Sequence, residues 1–149
     1  MKKFIIAASF AFAISASAFA KEPSKEPGSQ VKQAFRTEFS HVSDVNWSPI
    51  GTEGIYKAEF KFNNENLQAF FTSEGEFIGT SREIVKTQLP LAIARQLDKQ
   101  YSQYRIVTIF EYSKKDGVNY FVTLTGDKGT QIIKADVSGD LSVYQKNIK

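Results

Sequence analysis

The chain has no cysteine, one histidine, one tryptophan, one methionine and four prolines among its 149 residues. Without cysteine there are no disulfides, no thiol nucleophile, no thiolate metal site and no lipid-bearing N-terminal cysteine, so the folded part must be held by its core alone. With His41 as the only histidine, a zinc site lacks its usual nitrogen and sulfur donors. A serine hydrolase would have to use that same histidine, with Asp44 to orient it. His41-Val42-Ser43-Asp44 falls in a link between a helix and a strand, and no nucleophile-elbow pattern occurs. A hydrolase is therefore the last of the readings considered, and His41 is read as a surface or capping residue.

No glycine-rich phosphate loop is present; Gly117, Gly126 and Gly129 are spaced as hairpin glycines. Asp136-Val137-Ser138-Gly139-Asp140 lacks the spacing and distal glutamate of a calcium loop and reads as a turn. Glu74 and Glu76 flank Gly75 in the equivalent place. No cofactor and no metal are expected.

Charge of one sign is scarce too. The whole chain holds 19 basic and 16 acidic side chains. Lys2 and Lys3 belong to an N-terminal segment with the marks of a secretory signal: a basic start, an apolar run from Phe4 to Ala16 and the small-x-small pattern Ala18-Phe19-Ala20. Cleavage after Ala20 is expected and leaves 17 basic against 16 acidic groups, a net charge of about +1. No lysine/arginine cluster stands out, so nucleic-acid binding has no electrostatic footprint. The apolar run is shorter than the roughly 20 residues that span a bilayer, so a periplasmic or secreted protein with no membrane span after cleavage is expected. The remaining chain of about 129 residues is long enough to bury roughly two-thirds of its unfolded surface in one domain.

What the chain does contain, it contains twice. Moved forward by 64 positions, Tyr56–Ile84 falls on Tyr120–Ile148 without a gap. Tyr56 meets Tyr120, Ala58 meets Val122, Phe60 meets Leu124, Ala69 meets Ile133, Gly75 meets Gly139 and Phe77 meets Leu141. The turns at Asn63-Asn64 and Glu74-Gly75 meet those at Asp127-Lys128-Gly129 and Ser138-Gly139. Such spacing indicates a duplicated supersecondary unit. An earlier pair, Val45 and Trp47, meets Val107 and Ile109 at an offset of 62, which makes the following hairpin two residues longer in the second half.

Local patterns fill in the unit. Lys21–Gly28, with Pro23 and Pro27, reads as a flexible leader. Ser29 is expected to cap a helix whose apolar face is Val31, Ala34, Phe35 and Phe39. Strands follow through Val45–Trp47, ended by Pro49 and Gly51, then Gly54–Phe62, Leu67–Thr72 and Glu76–Ser81. A second helix starts around Pro90 and carries Ile93, Ala94, Leu97 and Tyr101 on one face. Strands Ile106–Tyr112, Val118–Thr125, Thr130–Val137 and Leu141–Asn147 complete the second half. Every strand link is too short for a crossover helix, so the strands must pair antiparallel. The expected fold is α+β: a tandem repeat of helix plus four antiparallel strands, about eight strands in one sheet, with two helices on one face. Repeat one spans 29–84 and repeat two 87–149.

The run Ala69-Phe70-Phe71-Thr72-Ser73-Glu74-Gly75-Glu76-Phe77-Ile78-Gly79-Thr80, then Leu89-Pro90 opening a helix that ends Tyr101-Ser102-Gln103-Tyr104-Arg105-Ile106, resembles the PepSY-like, beta-lactamase-inhibitor-protein-like domains of bacterial envelope proteins. The aromatic entry from Phe39 to Trp47 resembles the start of that family's unit. The resemblance covers nearly all of the chain after the signal. It implies tandem helix-plus-four-strand units and export. It also implies a protein-binding or peptidase-regulating module rather than an enzyme.

Strand alternation then separates two faces. Trp47, Phe60, Phe71, Phe77, Ile109 and Leu124 point toward the helices. Phe70, Ile78, Phe110, Tyr112, Phe121, Ile132 and Tyr144 point away, among Lys57, Glu59, Thr72, Thr108, Thr123 and Lys134. Rigid aromatic area mixed with polar groups suits a protein interface. Phe70, Phe110, Tyr112, Phe121 and Tyr144 are the expected anchors, with Lys57 and Lys134 tuning specificity, for an envelope protein or peptide, or for a second copy in a homodimer. The alternative is a small-molecule carrier with a pocket between helices and sheet.

Overall fold

The computed structural model describes residues 26–51, 54–127 and 129–147. The signal segment, the leader as far as Lys25, Lys128 of the second hairpin turn and Ile148, the partner of Ile84 in the repeat, lie outside the described residues.

The helices form where apolar residues recur four apart. Helix α1 is Ser29–Glu38 and α2 is Leu91–Gln100. Val31 and Phe35 are the buried pair of α1, Ile93 and Leu97 that of α2. Ser29 does not cap α1: it is the first helical residue, and extended Gly28 occupies the cap without a side-chain hydrogen bond. Pro90 holds the same place before α2. Of the leader's last residues, Pro27 is buried and Glu26 pairs with Lys32.

The two helices repeat at the level of single hydrogen bonds, at an offset of 62. Lys32 N–H donates to the Gly28 carbonyl at 3.2 Å, and Ala94 N–H to that of Pro90 at 3.1 Å. Phe39 N–H reaches Phe35 and Tyr101 N–H reaches Leu97, each at 2.8 Å. Val42 N–H to Phe39 and Tyr104 N–H to Tyr101 close the exit turns at 3.2 and 2.9 Å.

Eight strands follow the expected plan with longer ends. In the first half they are β1 (Val45–Ile50), β2 (Ile55–Phe62), β3 (Glu65–Thr72) and β4 (Phe77–Glu83). In the second they are β5 (Arg105–Lys114), β6 (Gly117–Gly126), β7 (Gly129–Asp136) and β8 (Leu141–Asn147). They form one antiparallel sheet in sequence order. Pro49 does not end β1: it lies within the strand, tolerated because β1 is an edge. The β2–β3 turn is only Asn63-Asn64, both at positive φ (49° and 65°), a two-residue turn whose twist matches the strands it joins. The extra length of the β5–β6 hairpin goes into its strands, one residue of it into a bulge at Val107. A short 3₁₀ turn, Lys86–Gln88, links β4 to α2.

Both helices cover the same face. Under α1 lie Ala58, Phe60, Ala69 and Phe71; under α2 lie Ile109, Val122, Leu124, Ile133 and Ala135. Parity carries one face into the other: Ala69 pairs with Thr80, Thr80 with Ser113, and Ser113 is four residues from Ile109 on the same side of β5. Equivalent positions share their burial, as with Ala58 and Val122, or Ala69 and Ile133, all fully enclosed. Trp47 points inward as expected but is only partly buried, because β1 has no outer neighbour. Its ring meets Phe35 edge-on at 5.4 Å.

The glycine turns lock each hairpin to its helix. Gly75 and Gly139 have φ of 87° and 96°. A Cβ on Gly75 would lie 3.0 Å from the Gln30 carbonyl oxygen of α1, and one on Gly139 would lie 3.0 Å from Ala92 Cβ of α2. A side chain closes each turn: Thr72 Oγ1 accepts Glu76 N–H at 3.1 Å, and Asp136 Oδ1 accepts Asp140 N–H at 3.1 Å. Asp136 Oδ1 also accepts from the Ser138 hydroxyl and from the N–H groups of Ser138 and Gly139 at 3.0 and 3.1 Å. The Ser138 hydroxyl first, then these backbone donors, hold the Asp136 carboxyl below the usual carboxylate range.

Two expectations follow. Phe35→Ala should cost about 3–5 kcal/mol in urea unfolding, and Trp47→Ala less, since its ring is only partly buried; the reverse order would overturn the core assigned to α1. Because folding depresses the Asp136 pKa, its contribution is present above the unfolded value and is lost as pH falls through the folded one. An NMR titration should give Asp136 a midpoint below the ordinary aspartate value of about 3.9, with Gly139 and Asp140 amide shifts following it. A midpoint at or above that value contradicts the turn geometry.

Candidate protein-binding face

The face away from the helices carries an aromatic row. Phe70 on β3 meets Tyr112 on β5 at 6.1 Å, Tyr112 meets Phe121 on β6 at 6.4 Å, and Phe121 meets Tyr144 on β8 at 5.1 Å, all edge-to-face. Such pairs add roughly 0.5–1.5 kcal/mol each beyond the area they bury. The first contact spans an intervening strand, and Gly79 makes this possible. It lies opposite Phe70 on β4, and a Cβ there would come within 2.6 Å of the Ser113 carbonyl oxygen and 3.1 Å of the Tyr112 hydroxyl. With no side chain on Gly79, the Tyr112 ring leans over β4 to reach Phe70.

The row is partly self-covering. Phe70 is 2% exposed and Phe121 9%, whereas Phe110, Tyr112 and Tyr144 are half-buried. Phe70 and Phe121 thus form a floor, and the other three carry the accessible ring surface. Phe110 is directly opposite Phe121. Burial, and to a lesser degree the charge of Asp116, pushes the Tyr112 hydroxyl pKa up, so it remains a neutral donor and acceptor.

Lys57 lies opposite Phe70 and pairs with Glu59 at 3.0 Å. Lys134 lies opposite Phe121. The two lysines therefore stand near opposite ends of the row, with four strands between them. Ile78 falls at the irregular step in the β3–β4 register and is half-buried.

A second feature was not anticipated. An open cleft of about 1090 Å³ lies where β3 and β4 diverge, bounded by the His41–Asp44 loop, Leu67, Gln68, Glu83 and Phe110. It is at the seam of the two halves and not between helices and sheet, where Val31, Phe71, Ile93 and Ile133 are fully buried. Arg82 borders it: Nη1 donates to Glu65 at 2.7 Å and Nε to Glu111 at 2.8 Å, and the Glu111 bond, then that of Glu65, raises the guanidinium pKa further. Strand parity held the signal for Glu111, two residues from inward Ile109; Arg82 turns inward only because the register shift at Ile78 reverses the parity that inward Phe77 would set.

The geometry defines a class: a single antiparallel sheet with one helix-backed face and one aromatic face. No family model matches the chain, and no curated protein matches it in sequence. Solved structures share the fold. A DUF2874 family protein from Bacteroides ovatus aligns with TM-score 0.70 and 15% identity over 79% of this chain and 88% of that one. A candidate periplasmic protein from Bacteroides eggerthii gives 0.70 and 13% over 79% and 89%. A BLIP-like protein from Bacteroides fragilis gives 0.66 and 17% over 78% and 84%. At these identities the likeness is one of fold, and the fold is BLIP-like.

Gly79→Ala tests how the row is built. The added methyl meets backbone and the Tyr112 ring, so a loss of about 1–3 kcal/mol is expected, together with a change in the near-ultraviolet dichroism of the coupled rings. An unchanged midpoint and spectrum would refute the packing of Tyr112 over β4.

Proposed function

We propose that this chain is an exported, non-catalytic domain of the PepSY-like and BLIP-like kind that binds a protein or peptide partner in the cell envelope through its aromatic sheet face. The observation that carries this reading is the row Phe70–Tyr112–Phe121–Tyr144, which crosses from the first half to the second on the face that neither helix covers. Buried Phe70 and Phe121 hold the partly buried rings of Tyr112 and Tyr144 in place, with Phe110 beside them. Pre-ordered aromatic rings of this kind lose little entropy on binding. Lys57 and Lys134 flank the row and set which charges a partner can present. Export is supported by the N-terminal signal pattern and by the candidate periplasmic description of a protein with this fold. The BLIP-like description of another favours protein binding, possession of a fold being only an associational guide to activity.

The test is site-specific photo-crosslinking in the native envelope. A benzophenone side chain at position 112 or 144 should capture a discrete protein partner, and one at exposed Arg95 on α2 should not. Equal capture from both faces overturns the assignment. A product at twice the monomer mass from positions 112 and 144 alone makes the partner a second copy.

A further inference from the structure

The sheet is continuous, but its middle is thin. β2–β3 and β6–β7 each pair over eight residue pairs. β3–β4 has four, broken by a register shift at Phe70/Phe71, and β4–β5 has four. Only Thr80 and Ser81 of β4 have partners on both sides, Ala69 and Gln68 on β3, Ser113 and Tyr112 on β5. Beyond Gln68–Ser81 the strands part. Glu65–Leu67 continue on β2, Arg82–Glu83 continue on β5, and the cleft opens between them.

The apolar packing divides at the same place. The cluster under α1 and the cluster under α2 have no residue in common. Side-chain ties cross the seam on opposite faces. On the helix side Arg82, in β4, bridges Glu65 of β3 and Glu111 of β5. On the other side the Phe70 ring meets Tyr112.

We propose that the two halves are separate bodies that turn about Thr80-Ser81, with the Arg82 ion pairs as the latch that sets the width of the cleft. Widening the cleft extends an existing separation of strands and leaves the β2–β3 and β6–β7 ladders intact. It exchanges two partly exposed ion pairs for hydration, a small change compared with disrupting either core. Because Phe70 belongs to one body and Tyr112, Phe121 and Tyr144 to the other, the hinge also sets the curvature of the aromatic row. That last consequence rests on the binding role proposed for the face; the hinge itself does not.

The cysteine-free chain permits clean spin labelling. Gln33→Cys on α1 and Arg95→Cys on α2 are exposed positions, one on each body, and their separation by double electron–electron resonance reports the angle between the halves. A single narrow distribution is expected with Arg82 present, and a shifted or broadened one with Arg82→Met. In the unsubstituted protein, native-state hydrogen exchange should show the β3–β4 ladder amides opening about tenfold or more faster than those of the β2–β3 and β6–β7 ladders. Identical distance distributions in folded Arg82 and Arg82→Met proteins overturn the latch, and equal protection across all three ladders overturns the hinge. If Arg82→Met does not fold, the exchange measurement decides alone. Both experiments use the isolated protein, so their outcome is independent of whether the aromatic face captures a partner.

Discussion

A strand shows its side chains alternately to two faces, and an apolar face must be covered. The rest of this structure depends on how that cover is supplied. Each helix has ten residues, about 15 Å of length at 1.5 Å per residue. Four strands spaced about 4.8 Å apart make a surface of similar width. One such helix therefore covers one four-stranded unit and no more. An eight-stranded sheet with a single dry face needs two helices, and the duplication provides them. This is why the equivalent residues Val31 and Ile93, Phe35 and Leu97, and Ala69 and Ile133 are buried alike. It is also why there are two apolar clusters rather than one.

The same constraint leaves a polar seam. At the join neither helix lies overhead, and the inward positions of β4 and β5 carry Thr80, Arg82, Glu111 and Ser113 instead of apolar groups. Charges at inward positions are tolerated because each has a partner and the groups remain partly hydrated. Tyr120 beside them shows the transition to the dry core: burial raises its hydroxyl pKa first, and the Glu111 carboxylate adds to the effect. The outer strands show the same economy. β1 ends the sheet with Pro49, and β8 carries an extra residue, Tyr144, at the register shift opposite Ile132/Ile133 of β7, two features that discourage further strand addition.

On the opposite face, covering is accomplished by the aromatic rings themselves. Gly79 lets Tyr112 reach Phe70, and Phe121 packs against Tyr144. The accessible surface is thus smaller than five exposed rings and more rigid. It is made of three half-buried rings on a two-ring floor. Those rings belong to both halves, which ties any use of the face to the relative orientation of the halves.

The sequence by itself determined the number of strands, their antiparallel pairing, the inward and outward sets and the turns at Asn63-Asn64, Gly75 and Gly139. These are local matters: period-two alternation, links too short to cross over, and residues that accept positive φ. It also pointed to the aromatic face, because parity needs no knowledge of distant contacts. Only the tertiary structure decided that Gly28 and not Ser29 caps α1, that β4 is divided between two partners, that Arg82 bridges the seam, and that Phe70 and Phe121 lie beneath their neighbours. Each of these depends on groups brought together from separate strands or, at the cap, on how the chain enters the fold. Parity assigns a side chain to a face; what covers it there is set by the register of neighbouring strands and by the space a glycine leaves open, which no local pattern encodes.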